Sequence, residues 1–255
     1  MKTNLEMSSK SFSVFKDFFG LLKILNDEIT LNVDDSGIQV IGMDPSHVAM
    51  VDAKILPGLF DKFEPSEKSI TVNLSEFCKF LDRLGKEDNP KIQYNAEKAQ
   101  LMILAKKIGF TRRFTLSTLE PLEEEVPKPK IFFKSSGRII TQIVDRAIKD
   151  ADLVSEHVKF TMSKEAMKIE ARGDMGSAAN EYEKGSDELL ELTVEEEATA
   201  TFTLSYLKSM FRALKDLSEV VTISLSTDMP VKIETTPAVD PSLEIILYLA
   251  PCIGI

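Results

Sequence analysis

The stretch ITVNLSEFCKFLDRL at residues 70–84 returns 130 residues later as ATFTLSYLKSMFRAL at residues 200–214. Thr71-Val72-Asn73-Leu74-Ser75 aligns with Thr201-Phe202-Thr203-Leu204-Ser205, and the same shift of 130 carries Phe77, Leu81 and Leu84 onto Leu207, Phe211 and Leu214. Each copy opens on a β-prone run and passes at once into apolar residues at three- and four-residue spacing. That pattern is a strand running into an amphipathic helix, written twice.

The repeat extends outward from this segment. Phe12, Phe15, Phe19 and Leu22 predict a helix over about Ser11 to Asn26. Ile29, Leu31 and Val33 then alternate with polar residues, Asp35-Ser36-Gly37 supplies a turn, and Ile38 and Val40 complete a β-hairpin. In the second half Ile139, Ile140, Ile143, Val144, Ala147 and Ile148 predict the matching helical face. Val158, Phe160 and Met162, followed by Met167, Ile169 and Ala171, predict the matching hairpin. Residues 117–130, STLEPLEEEVPKPK, carry three prolines and an acidic run and read as an extended linker. The expected organisation is an N-terminal domain over 1–117, a connector over 118–131 and a C-terminal domain over 132–255. Leu119, Leu122 and Val126 are apolar residues that a plain linker would not need.

The 255 residues have the composition of a globular protein, 43% apolar and 28% charged. Cys78 and Cys252 lie far apart and match no metal-ligand spacing, which predicts a reducing, intracellular setting without a disulfide framework. No apolar run of membrane-spanning length occurs, and the start MKTNLEMSSK turns polar too soon for a signal peptide. Neither a membrane partner nor secretion is expected.

Lys and Arg total 31 against 41 Asp and Glu, a net charge of -10. The distribution is uneven. Four windows read as helical hold Lys10, Lys16 and Lys23; Lys79, Arg83 and Lys86; Arg138, Arg146 and Lys149; and Lys208, Arg212 and Lys215. The acids among them are Asp17, Glu76, Asp82 and Asp145, so the windows sum to +8 and the remainder to -18. Lys79, Arg83 and Lys86 share the spacing of Lys208, Arg212 and Lys215, so each triad forms one stripe on its helix, although the triads match at a shift of 129 rather than 130. Gathered on one surface, such stripes make a local positive field for phosphates. Few aromatics or Asn/Gln accompany them, so contact independent of base sequence is expected.

Signals for an enzyme are absent. There is no phosphate-cradling glycine loop and no nucleophile elbow, and His47 and His157 have no acidic or cysteine partner at ligand spacing. Carboxylates are abundant and no pair is singled out. No cofactor or metal is expected.

Directly after the first hairpin, Gly42-Met43-Asp44-Pro45-Ser46-His47-Val48-Ala49-Met50-Val51 resembles the MD-x-SHV signature of proliferating cell nuclear antigen, the DNA sliding clamp family of archaea and eukaryotes. Ser226-Thr227-Asp228-Met229-Pro230-Val231 and Leu247-Tyr248-Leu249-Ala250-Pro251-Cys252-Ile253 are similar to the family's D-x-P strand and its Y-x-A-P tail, with Cys252 where the family commonly has a basic residue. The similarity runs over essentially the whole chain.

The resemblance implies an α+β, two-domain DNA clamp fold, with duplicated domains whose helices line a central pore and whose sheets lie outside, in a ring of three subunits. It implies a non-enzymatic processivity factor in DNA replication and repair, with the basic windows facing duplex DNA. It also implies loading by a clamp loader, and docking of DNA polymerase, flap endonuclease and DNA ligase through short peptide motifs. Carried over by motif, the docking pocket comprises Met43, His47, Val48, Leu122, Val126, Pro127, Pro230, Tyr248, Ala250, Pro251 and Ile253. Head-to-tail closure pairs an edge strand near Ile108 to Thr118, with Phe110, Arg112 and Phe114, with one near Gly176 to Lys184, with Ala178, Asn180 and Tyr182. A homotrimer is the expected assembly, in the cytoplasm or nucleoid of an archaeon or the nucleus of a eukaryote. Two rival readings are a subunit of a heterotrimeric or checkpoint-type clamp, and an acidic-site metal-dependent hydrolase.

Overall fold

The computed structural model describes residues 2–66, 69–85, 87–121, 126–235 and 242–254, with only the backbone of Lys2. Lys86 and Leu122 therefore lie outside the described residues. The first half runs β1 (Lys2–Glu6), α1 (Ser9–Leu25), β2 (Glu28–Asp34), β3 (Gly37–Met43), β4 (Ala49–Ile55), β5 (Lys62–Glu64), β6 (Ser69–Asn73), α2 (Leu74–Asp82), β7 (Pro90–Asn95), β8 (Gln100–Lys107) and β9 (Phe110–Ser117). The second runs β10 (Ser135–Ile140), α3 (Thr141–Ala151), β11 (His157–Met162), β12 (Ala166–Gly173), β13 (Gly176–Glu183), β14 (Leu189–Val194), β15 (Ala198–Thr203), α4 (Leu204–Leu217), β16 (Val220–Leu225), β17 (Val231–Thr235) and β18 (Leu243–Leu249). Element for element, the order of strands and α-helices repeats.

Sheet topology repeats as well. In the first half strands run β5-β1-β7-β8-β9 and β4-β3-β2-β6; in the second they run β14-β10-β16-β17-β18 and β13-β12-β11-β15. Substituting each strand for its counterpart converts one set into the other, so the duplication read from residues 70–84 and 200–214 is a duplication of the whole α+β domain. By compactness the chain divides into one unit of Met1–Pro45, Val51–Val126 and Asp240–Glu244 and another of Ser46–Met50, Pro127–Val239 and Ile245–Ile255.

Local chemistry explains the joints. Asp34 pairs with Gly37 across the first hairpin, where Gly37 has φ +131° and a Cβ would strike the Ile55 carbonyl. Only glycine fits there. Asn73 ends β6 and caps α2, its Oδ1 accepting from the Glu76 N–H at 3.0 Å. The strand therefore becomes helix without a loop. Thr203 occupies the same place before α4, though without a side-chain cap.

The apolar faces read from the sequence are the buried ones. In the first unit Phe15 and Phe19 of α1 meet Phe77 of α2 with ring centroids 6.4 and 4.8 Å apart. In the second, Leu207, Phe211 and Leu214 of α4 are fully buried, and Phe160 meets Phe202 edge-on at 5.8 Å. Truncating any of these phenylalanines to alanine costs about 3–5 kcal/mol.

One helix starts later than its periodicity suggests. Residues 135–140 form β10, hydrogen-bonded to β14 on one side and β16 on the other, so Arg138, Ile139 and Ile140 are strand residues. Two adjacent isoleucines ahead of a helix mimic helical spacing, but paired on both sides they satisfy the backbone of a central strand. No α-helix among the described residues is long and apolar enough to cross a membrane.

Candidate nucleic-acid interface and docking surface

Amphipathic helices that bury one face must offer the other to solvent, and here that other face is basic. On α1, Lys10 and Lys23 are exposed and Lys16 is half-buried, 3.0 Å from Asp82 of α2. On α2, Lys79 is exposed beside Glu76 at 2.6 Å, and Arg83 is the exposed C-cap. Cys78 turns inward, its Sγ against the Phe19 carbonyl at 3.5 Å, and burial pushes its thiol up to about 11. This cysteine is a packing residue rather than a nucleophile.

In the second unit α3 presents Arg146 and Lys149, and α4 presents Lys208, Arg212 and the half-buried Lys215. Asp145 is buried between the two helices, 2.7 Å from Lys149 and 3.6 Å from Lys215. Lys208 is paired with Asp152, the C-cap of α3. Among the described residues Lys10, Lys23, Arg83, Arg146 and Arg212 have no ion-pair partner, so their charge is the part most available to an external anion.

Arg138 does not belong to this set. It lies on β10 rather than on a helix, and its guanidinium pairs with Glu191 of β14 at 3.1 Å. The partnering acids Asp145 and Asp152 were visible in the sequence, but their role as clasps follows from the way α3 and α4 pack.

The residues assigned to the docking pocket divide between the units. Met43 ends β3, and its carbonyl accepts from Asn26, the C-cap of α1, at 2.6 Å. Gly42 beside it leaves room for this contact, since a Cβ there would strike the Asn26 and Ile29 side chains. Val126 is half-buried in the same unit. The second unit holds His47, Val48, Pro127, Pro230, Tyr248, Ala250, Pro251 and Ile253. There the Ala250 N–H donates to the Val48 carbonyl at 2.8 Å, and Cys252 donates to Thr201 at 2.8 Å while its Sγ lies 3.2 Å from the Thr203 hydroxyl. The tail thus continues beyond β18 beside the loop of His47, which itself sits at φ +58°. Tyr248 pairs with Lys232 across β17 and β18, Pro230 precedes β17, and Ile253 is 81% exposed.

The two strands expected at a subunit junction are both sheet edges, β9 in the first half and β13 in the second. On β9, Phe110 and Arg112 are exposed while Phe114 turns onto Phe80 of α2 at 5.5 Å. On β13, Ala178, Asn180 and Tyr182 form the half-buried side, with Asn180 donating to Asp150 of α3 at 3.3 Å. Burial and the nearby Asp150 push the Tyr182 hydroxyl up to about 12. Phe114 and Asn180 thus brace each edge on its own domain and leave the other side of the strand open. Among the described residues no group of three or more His, Cys, Asp and Glu is placed to hold a metal ion.

Comparison with known proteins agrees with this architecture. The N-terminal domain model of proliferating cell nuclear antigen matches residues 4–119, and its C-terminal domain model matches residues 133–252. A DNA polymerase sliding clamp 1 of Pyrobaculum aerophilum is 30% identical over 82% of this chain and 84% of its own, and a DNA polymerase sliding clamp of Methanococcus maripaludis is 31% identical over 86% and 89%. The crystal structure of the antigen from Thermococcus kodakaraensis superposes with a TM-score of 0.89 at 23% identity, covering 98% of this chain and 100% of that one. That of Entamoeba histolytica gives 0.87 at 20%, with 98% of each chain covered. With both domain models matched in order along a duplicated α+β fold, the chain belongs to the proliferating cell nuclear antigen family of DNA sliding clamps.

Proposed function

We propose that this sliding clamp closes head to tail with two further copies of itself around duplex DNA. The observation that carries the reading is the coincidence of a duplicated domain with solvent-turned basic helix faces in both copies, in a chain whose net charge is -10. Lys10, Lys16, Lys23, Lys79 and Arg83 of the first domain, with Arg146, Lys149, Lys208, Arg212 and Lys215 of the second, would meet phosphates; Lys86 would join them. Such contacts carry no base information, and topological linkage lets each be weak enough for sliding. The family is one of non-enzymatic processivity factors, and nothing in these helices asks for chemistry.

The edges suit self-association. β9 exposes Arg112 and Arg113, and β13 exposes Glu181 and Glu183, with Glu181 already held by Lys168 at 3.0 Å. Opposite charge on two unpaired edges favours adding β13 of one copy to β9 of the next. Such a heterologous contact closes into a ring when the rotation per subunit divides a full turn. Domains over 1–117 and 132–255, joined by a connector over 118–131, would make up each subunit of the homotrimer.

The Met43, His47, Val48, Leu122, Val126, Pro127, Pro230, Tyr248, Ala250, Pro251 and Ile253 set would receive short peptide motifs with apolar and aromatic anchors. DNA polymerase, flap endonuclease and DNA ligase are the proposed bearers, with an ATP-dependent clamp loader opening the ring inside the cell. Light scattering across a dilution series tests the assembly. A mass near three times the 28.5 kDa chain is expected. A stable monomer or dimer would contradict the homotrimer.

A further inference from the structure

Asp88 lies between α2 and β7, in the domain whose five-stranded sheet ends on β9, and its side chain is 3% exposed. A buried carboxylate is costly unless donors replace its water. One backbone donor and two cations replace it here, from three separate places. The Gly85 N–H of the turn after α2 gives a hydrogen bond of 2.7 Å, Lys107 at the end of β8 lies at 3.2 Å, and Arg112 of β9 lies at 4.0 Å. The same Arg112 nitrogen donates to the Arg83 carbonyl, the C-cap of α2, at 2.6 Å. The Gly85 hydrogen bond, with the two cations, holds the Asp88 carboxyl below the usual range, so it is ionised at neutral pH. The second domain joins α4 to β16 through Ser218 and Glu219, with no such carboxylate. The device therefore belongs to the domain that offers β9.

We infer that Asp88 is a positioning residue for the assembly edge, a latch that fixes β9 against the end of α2 in the orientation to which a second copy's edge strand adds. Through Arg112 and Arg83 it also joins that edge to a helix whose basic residues face phosphate. This rests on the self-assembly proposed above. An edge strand held by one neighbour twists freely, and each orientation sampled but not competent to pair lowers the apparent affinity of the next copy. Ionised Asp88 removes that freedom at Arg112, and Phe114 on Phe80 removes it two residues further along the same face of β9.

The test is the dissociation constant of the assembled full chain, read by light scattering on dilution, for wild type, Asp88→Asn, Arg112→Gln and the double variant. Asp88→Asn keeps an acceptor for Gly85 but loses the charge that holds Lys107 and Arg112. A rise of about tenfold is expected for each single variant, with the double variant no worse than the weaker-assembling single, because both break one latch. Ile92→Val, a change at a buried core residue of β7, which does not pair with β9, serves as a control whose thermal midpoint is measured beside that of Asp88→Asn, and it is expected to assemble as wild type does. Unchanged assembly of Asp88→Asn, multiplying losses in the double variant, or an equal loss in Ile92→Val would each overturn the latch while leaving the assembly itself standing. A wild-type chain that never exceeds one subunit would overturn both.

Discussion

Lys215 of α4 lies 3.6 Å from Asp145 of α3, a carboxylate whose side chain is 6% exposed and which also holds Lys149 at 2.7 Å. The two helices of the second domain are thus clasped by one acid that neutralises part of the surface proposed to face DNA. Asp145→Asn releases both lysines without burying a bare cation, since each ammonium is already partly in solvent. Affinity for duplex DNA is expected to rise several-fold at low salt, and the slope of log K against log salt to steepen by about one to two. Anisotropy titrations over a salt series check this, and an unchanged slope would remove Lys149 and Lys215 from the phosphate-facing set.

Lys79→Ala combined with Lys208→Ala and Arg212→Ala is expected to weaken retention on DNA and lower the salt slope by about two to three. Assembly should be unaffected, because none of these side chains lies on β9 or β13. Of the second-domain pair, Arg212→Ala should cost more than Lys208→Ala, whose cation is already engaged by Asp152. Dissociated subunits in the triple variant would contradict that placement.

Tyr248→Ala is expected to reduce affinity for aromatic-anchored partner peptides by about tenfold or more, while leaving retention on DNA intact. Its half-buried ring sits on β18 opposite Lys232, two residues before Ala250, whose N–H ties the tail to the Val48 carbonyl. Isothermal titration with a synthetic peptide reads the effect, and equal affinity for both proteins would tell against the pocket.

Acid should loosen the assembly edge in a defined direction. The Gly85 hydrogen bond and the Lys107 and Arg112 charges hold the folded Asp88 carboxyl below the usual aspartate range, so its contribution is fully present above that range and is lost as pH falls through the lowered value. Lys107 and Arg112 are the basic groups that face it. The dissociation constant of wild type is therefore expected to be level in its Asp88-dependent part from neutral pH down to the usual aspartate range and to rise only below that range, with Asp88→Asn already weak and flatter throughout. A profile identical in wild type and variant would show that the edge does not depend on this carboxylate.

The elements legible in the sequence were those whose pattern carries its own partner. Ile29, Leu31 and Val33 announce a half-buried strand by alternation, and Gly37 announces the turn that only glycine can make. The repeat at residues 70–84 and 200–214 exposed the duplication because strand and helix meet there without a variable loop. Arg138 misled because Ile139 and Ile140 satisfy two periodicities, and only pairing with β14 and β16 decides between them. The basic stripes were plain, but which cations remain unpaired depended on Asp82, Asp145 and Asp152 arriving from neighbouring elements. Asp88 was silent for the same reason. Its partners lie 3 residues before it and 19 and 24 residues after it in sequence and meet only in the folded domain.

Retention on linear duplex DNA with open ends, compared with the same duplex after both ends are blocked by a bulky protein, tests encirclement most directly. The protein is first allowed to thread on, then challenged with salt high enough to screen phosphate contacts. A topologically linked ring should stay on the blocked duplex and run off the open one. Equal loss from both would mean that the chain holds DNA by its surface alone, and the clamp account of this protein would fail.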